Sequence, residues 1–267
     1  MIRVFTPARR KSAGHWLAEL AIVVAGVLIA LYAQQWDSAR KLKRDARDAE
    51  QRIGREVMFN LGIATEREMV GKCIDDRLGA VADRLDRGAT DWKSFAKSQQ
   101  TDLASSVPHV VIMPSRNWAF DAYHGAVSSG SLDGLPLQRQ ARLAQIYGLF
   151  ENLAKVNREE FELQSELNGL ALSSTPVRDR DAYFRMIAKL ANYNAFMRLL
   201  PGQLRDDVKD LGYSADAETR EVVRLRLSNS QARGLPRFRR LYGDCIDPHA
   251  YDGWLKLNAL APVAPTR

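Results

Sequence analysis

The sequence predicts an all-α chain, with an N-terminal transmembrane helix continuing into a long stalk helix and an extracytoplasmic helical bundle. Three observations carry that expectation. Leu20–Ala33 is the only continuous apolar run in 267 residues, and Trp16 and Trp36 bracket it. Beyond it, apolar residues recur at helical spacing among charged ones, with no proline from Asp37 to Lys72. The single β-like run, His109–Pro114, is too short and isolated to make a sheet and reads as an extended connector packed on the core.

Taken in order, residues 1–14 form a basic tail with Arg3, Arg9, Arg10 and Lys11, expected on the cytoplasmic side, and residues 15–36 form the anchor. A helix rises about 1.5 Å per residue, so a hydrocarbon core of roughly 30 Å needs about 20 residues. The uncharged stretch between Glu19 and Asp37 supplies 17, and Trp16–Trp36 supplies 21 if Glu19 reaches up to the head groups. Tryptophans at both ends match the aromatic belts of a spanning helix. A cleaved signal peptide is the competing reading, but its best cleavage site, Leu31-Tyr32-Ala33, is poor. The buried helix of a soluble core is the other, and it fits badly with one such run in a chain of charged helices. An uncleaved signal anchor is therefore expected.

Orientation is harder to read. Four basic residues precede the span, and five follow it: Arg40, Lys41, Lys43, Arg44 and Arg47. The count does not decide sidedness. A basic tail is poorly translocated, which favours a cytoplasmic N-terminus in a bacterial inner membrane with the bulk of the chain periplasmic. Glu19, Gly26, Ala30 and Ala33 share one helical stripe, where small residues let a second helix approach and a carboxylate prefers protein to lipid. That stripe is a candidate contact with a second copy or another membrane protein; the plainer alternative is a short span with Glu19 among the head groups. Arg40, Lys41, Lys43 and Arg44 lie where anionic head groups would be.

Past the anchor, residues 37–72 read as stalk and first bundle helix, 73–255 as the bundle domain and 256–267 as a loose tail. Ala39, Leu42, Ala46, Ala49, Ile53, Val57 and Leu61 begin as a heptad seam, the pattern of a coiled coil. Ile74, Leu78, Val81, Ala82 and Leu85 continue it to a break at Gly88, and a shorter helix is expected over 91–104. Ser115 reads as an N-cap for a helix to about Ala126, and Pro136 as the first turn of a helix over 135–172. Its expected core face is Leu143, Ile146, Tyr147, Phe150, Leu153, Val156, Phe161 and Leu167. A helix from Asp179 to Leu211 should be interrupted at Pro201-Gly202, and another should run from Asp216 to about Ala232.

Composition excludes some classes. Net charge is +7, of which the first 36 residues supply +3; the remaining +4 is too mild and interspersed for a nucleic-acid surface. Histidines 15, 109, 124 and 249 lie at no metal-ligand spacing, and neither a nucleophile elbow nor a phosphate loop is present. No catalytic residue, metal site or cofactor is expected. Cys73 and Cys245 match no zinc motif; in an oxidising compartment they would pair, and otherwise they are two separate thiols. Arg116, Trp118, Tyr123 and His124 are the candidate ligand pocket, an imidazole, a cation and aromatics within nine residues; the alternative is that Trp118 and Phe120 anchor the core.

The span pattern Glu19-x₃-Val23-Val-Ala-Gly26-Val-Leu-Ile-Ala-Leu31-x₃-Gln35-Trp36, followed by a charged helix, resembles an uncharacterised family of bacterial single-pass membrane proteins. The block around Trp118, Gly125 and Leu132, followed by a helix containing Tyr147, is similar to a second element of such proteins. Together the two cover about a quarter of the chain. The resemblance implies a membrane-anchored helical domain and no activity. A non-enzymatic scaffold or accessory protein is the first expectation. A periplasmic ligand-binding or sensory module is the second, and an enzyme with an unrecognised site the third.

Overall fold

The computed structural model describes residues 13–88, 110–172, 179–228, 242, 245–247 and 249–259. They form six α-helices, and no strand occurs among them. The expected helix over 91–104 lies outside the described residues.

Helix α1, Ala13–Asp86, runs 74 residues without a break, about 110 Å at 1.5 Å per residue. No proline interrupts its ladder, and Gly88, in the left-handed region at φ +68°, takes the chain off its end. Along this helix the surroundings change. Residues 16–44 are exposed on every side; from Ala46 onward the apolar positions are buried, and between Glu56 and Gly71 only Phe59 and Glu68 escape burial. So the buried seam expected from Ala39 begins seven residues later: Ala39 and Leu42 carry the right pattern but stay exposed, although Gly134 approaches the Leu42 backbone, while Ala46, Ala49, Ile53, Val57 and Leu61 are fully covered.

Helix α2 is Asp121–Ser128, followed by a 3₁₀ turn at Ser131–Gly134. Helix α3, Leu137–Leu167, continues into a 3₁₀ turn over Asn168–Leu172. Contacts of Glu50 with Arg139, Glu56 with Tyr147 and Arg67 with Glu160 keep nearly constant register, so α3 runs parallel to α1. Helix α4, Arg180–Leu211, pairs Arg180 with Asp86, Arg198 with Asp75 and Arg205 with Glu68, and so runs antiparallel. Its N-cap Asp179 accepts from the Ala182 amide, and Gly212 at φ +68° closes it. Helix α5, Ala217–Ser228, is capped by Asp216, which accepts from the Thr219 amide. Helix α6 is His249–Ala259, four residues into the stretch expected to be loose.

The core lies where α1 meets α3 and α4: Ile53, Leu61, Ile74 and Leu78 against Leu143, Ile146, Phe150, Leu153, Leu190, Met197 and Leu204. Two glycines let helices close on α1. A Cβ at Gly62 would sit 2.9 Å from Val223 of α5, and one at Gly71 would collide with the Arg198 stem. Cys73 of α1 and Cys245 form a disulfide, with Cα atoms 5.2 Å apart, and the Asp247 amide donates to the Met69 carbonyl beside it. This fastens the segment leading into α6, whose Trp254 is fully buried.

Three sequence expectations need correction. The helix placed from Ser115 starts at Asp121, because residues 110–119 are held in irregular backbone by side chains from α1 and α3. Helix α4 is not interrupted at Pro201-Gly202. Proline removes one local hydrogen bond, and buried Met197, Pro201 and Leu204 hold the helix in line against the core. Phe161, expected in the core face of α3, is 53% exposed; Glu160 takes the inward position instead, and Val156 is half-buried. The expected continuation of α5 to Ala232 lies outside the described residues.

Candidate functional site

The most distinctive construction is the strap of residues 110–120 between α1 and α3. Its backbone has no regular hydrogen-bonded partner, and amide and carboxylate side chains take that place. Asn168 Oδ1 accepts from the Val110 amide at 2.8 Å and Gln164 Oε1 from Met113 at 3.0 Å. Asn157 accepts from the Arg116 amide at 3.1 Å and donates to the Pro114 carbonyl at 2.8 Å. From α1, Asn60 accepts from the Ala119 amide at 2.9 Å and donates to its carbonyl at 2.7 Å. Buried backbone must find partners, and each bond so made contributes about 0.5–1.5 kcal/mol net. Meanwhile Val110, Val111 and Met113 fill the core below.

At the end of the strap, Glu56 of α1 caps α2 from another helix. Its carboxylate accepts from the Ala122 and Tyr123 amides at 2.8 and 3.1 Å, and from the Tyr147 hydroxyl at 2.6 Å. An anion at a helix N-terminus is favoured by the exposed amides and the dipole there. Burial, followed by the bond to Glu56, pushes the Tyr147 hydroxyl well above the usual phenol range.

Higher along α1 sits a buried ion pair. Arg67 Nη2 donates to Glu160 Oε1 at 2.7 Å, with the two side chains 1% and 0% exposed. Arg67 also reaches Asn194 Oδ1 at 3.3 Å, and Asn157 Nδ2 lies 3.4 Å from Glu160 Oε2. Arg67 Nε and Nη1 have no hydrogen-bond partner. Burial raises the Glu160 carboxyl above its ordinary value, with Arg67 pulling the other way. At the adjacent position Glu66 accepts two bonds from Arg116, at 2.7 and 2.6 Å, which raises the Arg116 pKa. Burial, then the Glu66 charge, pushes the nearby Tyr242 hydroxyl above the ordinary phenol range.

Among the described residues, the four singled out by sequence take different partners. Arg116 is spent on Glu66, and Trp118 packs on Phe150 with ring centroids 5.9 Å apart. Tyr123 stacks face to face on Tyr147 at 4.0 Å, whereas His124 is exposed with Nε2 3.1 Å from Glu151. They are strung along the bundle as packing and surface groups. An open cleft of about 830 Å³ lies elsewhere, between α1, α2 and α5, with Arg52, Arg55, Phe59, Asp121, Glu218 and Val222 among its walls. None of the four lines it.

Sequence reasoning missed Asn60, Asn157, Gln164 and Asn168. The signal was there: Asn157, Glu160 and Gln164 continue the 3-4 spacing of Ile146, Phe150 and Leu153, so polar side chains occupy a core stripe. Chemically the arrangement fixes register and satisfies backbone, since its carboxylates are bound to arginines or amides. No group of three or more His, Cys, Asp or Glu able to hold a metal occurs among the described residues.

The first part of α1 completes the picture. One window of it is long and apolar enough to cross a membrane, and none of that window is buried. Gly26 has open space around it: an added Cβ would meet nothing within 4 Å. At the far end of the apolar stretch the Arg40 guanidinium stacks 3.5 Å over the Trp36 ring. No protein-family model, curated protein or solved structure matches the chain.

Proposed function

We propose that the protein is a non-enzymatic, membrane-anchored helical scaffold or accessory protein of the bacterial inner membrane. Its N-terminus would be cytoplasmic and its bundle periplasmic. The observation that carries this reading is the continuity of α1: one helix, bare through its apolar stretch and wrapped by other helices beyond it. An apolar helix exposed on every face is stable in lipid and unfavourable in water. The Cys73–Cys245 disulfide supports an oxidising location for the bundle. The resemblance of the span to anchored helical proteins points the same way.

In this reading the stripe of Glu19, Gly26, Ala30 and Ala33 contacts a second copy or another membrane protein, while Arg40, Lys41, Lys43 and Arg44 sit against lipid head groups. The bare seam at Ala39 and Leu42 suits a coiled-coil contact in the same assembly. Purification in mild detergent tests the idea. A defined membrane partner or homo-oligomer should accompany the native chain and be lost on Gly26→Leu, where an added Cβ meets nothing within 4 Å, or on Ala30→Leu, at an exposed position. An unchanged set of partners in those variants overturns the stripe as the interface. The open cleft between α1, α2 and α5 favours a second reading, a ligand-binding module that signals through a partner. That reading requires a small molecule to raise the melting temperature of the native chain and lose its effect on Arg52→Ala.

A further inference from the structure

Helices α2 and α5 both pack on α1 and leave a trough between them. Glu56 pins α2 by accepting from the Ala122 and Tyr123 amides, and α5 is set by the close approach of Val223 to Gly62. The open cleft of about 830 Å³ lies in this trough, inside the range of roughly 300–1,000 Å³ that suits a small ligand. Phe59, Ala122, Ala126 and Val222 give it an apolar bed, mostly of short side chains. At Gly125, on the α2 wall, an added Cβ would meet nothing within 4 Å.

Charge is divided along the trough. Arg52 lines it from α1 and has no hydrogen-bond or ion-pair partner among the described residues, while Arg55 reaches Asp216 only at 3.9 Å. Asp121 opens α2 and Glu218 lies in the first turn of α5; both line the cleft, are exposed, and have carboxylates without a partner among the described residues. The acids stand farther from Trp36 than Arg52 does. Asp121 adjoins Ala122 at the level of Glu56, and Glu218 follows Asp216, which faces Arg55. Arg52 is one turn nearer to Trp36 than Glu56, about 6 Å along the axis. The two carboxylates disfavour a simple anion and the two guanidinium groups a simple cation, so the cleft suits a ligand that carries both charges on an apolar body. The bilayer does not supply one, because Arg52 is 16 residues past Trp36, about 24 Å along α1.

We propose that this cleft binds short peptides of two or three residues by their free ends. The C-terminal carboxylate would meet Arg52 and Arg55, the N-terminal ammonium Asp121 and Glu218, and the apolar side chains Phe59 and Val222. This deepens the reading of the chain as a ligand-binding module and rests on it. The length agrees: Arg52 to Phe59 is seven residues, about 10 Å of helix, and an extended peptide covers about 3.3–3.6 Å per residue, so three residues span it. A guanidinium grips a carboxylate with two parallel bonds, which fixes the direction of the peptide. Because the bed is short and the cleft open, the peptide's side chains can vary, and its two charged ends set the specificity.

Calorimetric titration of the full chain, disulfide intact and in mild detergent, tests this with the tripeptide Ala-Val-Ala as the probe. The free peptide should bind, and N-acetylation or C-terminal amidation should each weaken it at least about fivefold. Two variants at exposed positions then assign the ends. Arg52→Gln should weaken the free peptide at least about fivefold and leave the amidated peptide unchanged; Asp121→Asn should weaken the free peptide and leave the acetylated one unchanged. Failure of the free peptide to bind, or equal affinity for the free and the doubly capped peptide, overturns the proposal. Another small molecule that raises the melting temperature of the native chain, with an effect lost on Arg52→Ala, would then leave the ligand-binding reading standing without peptides. Without such a molecule both fall.

Discussion

The two parts of α1 share one helix and almost nothing else. From Trp16 to Arg44 every residue faces outward, including Leu20, Ile22, Leu28 and Ile29, each more than half exposed. From Ala46 to Leu85 the same geometry is enclosed, and Ile53, Val57, Leu61, Val70 and Val81 are fully buried. The difference lies in what surrounds the helix. A backbone that satisfies its own hydrogen bonds can pass from one solvent to another without a break, so only the side chains record the change. In the bundle part the record includes polar residues: Glu56, Asn60, Glu66 and Arg67 point inward and are matched by other chain segments.

The sharpest way to break the contrast is at the buried ion pair. Arg67→Met should cost the bundle about 3–5 kcal/mol at neutral pH, because Glu160 is left buried without its cation. The double change Arg67→Met with Glu160→Leu should return most of that loss. Denaturant unfolding of the three proteins checks it. The sign with pH follows from the raised Glu160 carboxyl. Its native pKa lies above the unfolded value, so its contribution is fully present below the ordinary carboxylate range and is lost as pH rises through the native value. The penalty of Arg67→Met should therefore shrink on acidification, and a penalty that grows instead contradicts the pairing.

Next in size is a direct comparison of the two halves. Leu61→Ala, at a fully buried position, should cost about 2–5 kcal/mol. Leu28→Ala, at a position 60% exposed, should leave the unfolding of the bundle unchanged within about 0.5 kcal/mol. Equal losses at both sites would mean that the bare stretch packs against the bundle. A smaller effect is expected in the strap, where Asn157→Ala strands the Arg116 amide and the Pro114 carbonyl and should cost about 1–3 kcal/mol. Amide hydrogen exchange should then accelerate at Met113 and Arg116 before it does in α1.

The legible parts of the fold were those set by local pattern. An apolar run without proline, a seam at 3-4 spacing and Gly88 at its end predict one continuous helix through α1, though not the point at which its seam becomes buried. The strap was illegible because its conformation is imposed from a distance. Ser115 is a sound N-cap by type, but the amides beyond it are claimed by Asn157 and Asn60, 41 and 59 residues away, and the helix waits for Glu56 to cap it. Pro201 misled for the same reason, since burial on both sides outweighs one missing bond. Phe161 and Glu160 are adjacent, and hydrophobicity alone assigned the wrong one to the core; Arg67 in α1 decides it. For the candidate pocket, local density of aromatic and basic residues does not show which partners each side chain takes: Arg116 goes to Glu66, Trp118 to Phe150 and Tyr123 to Tyr147.

The central claim is that the bare stretch of α1 lies in a bilayer while the rest is a folded helical domain outside it. Washing membranes that contain the full-length chain with alkaline carbonate tests this most directly. Retention of the chain in the membrane pellet is the predicted result, because the apolar stretch between Trp16 and Trp36 has no other cover. Release of the intact chain into the supernatant would contradict the claim.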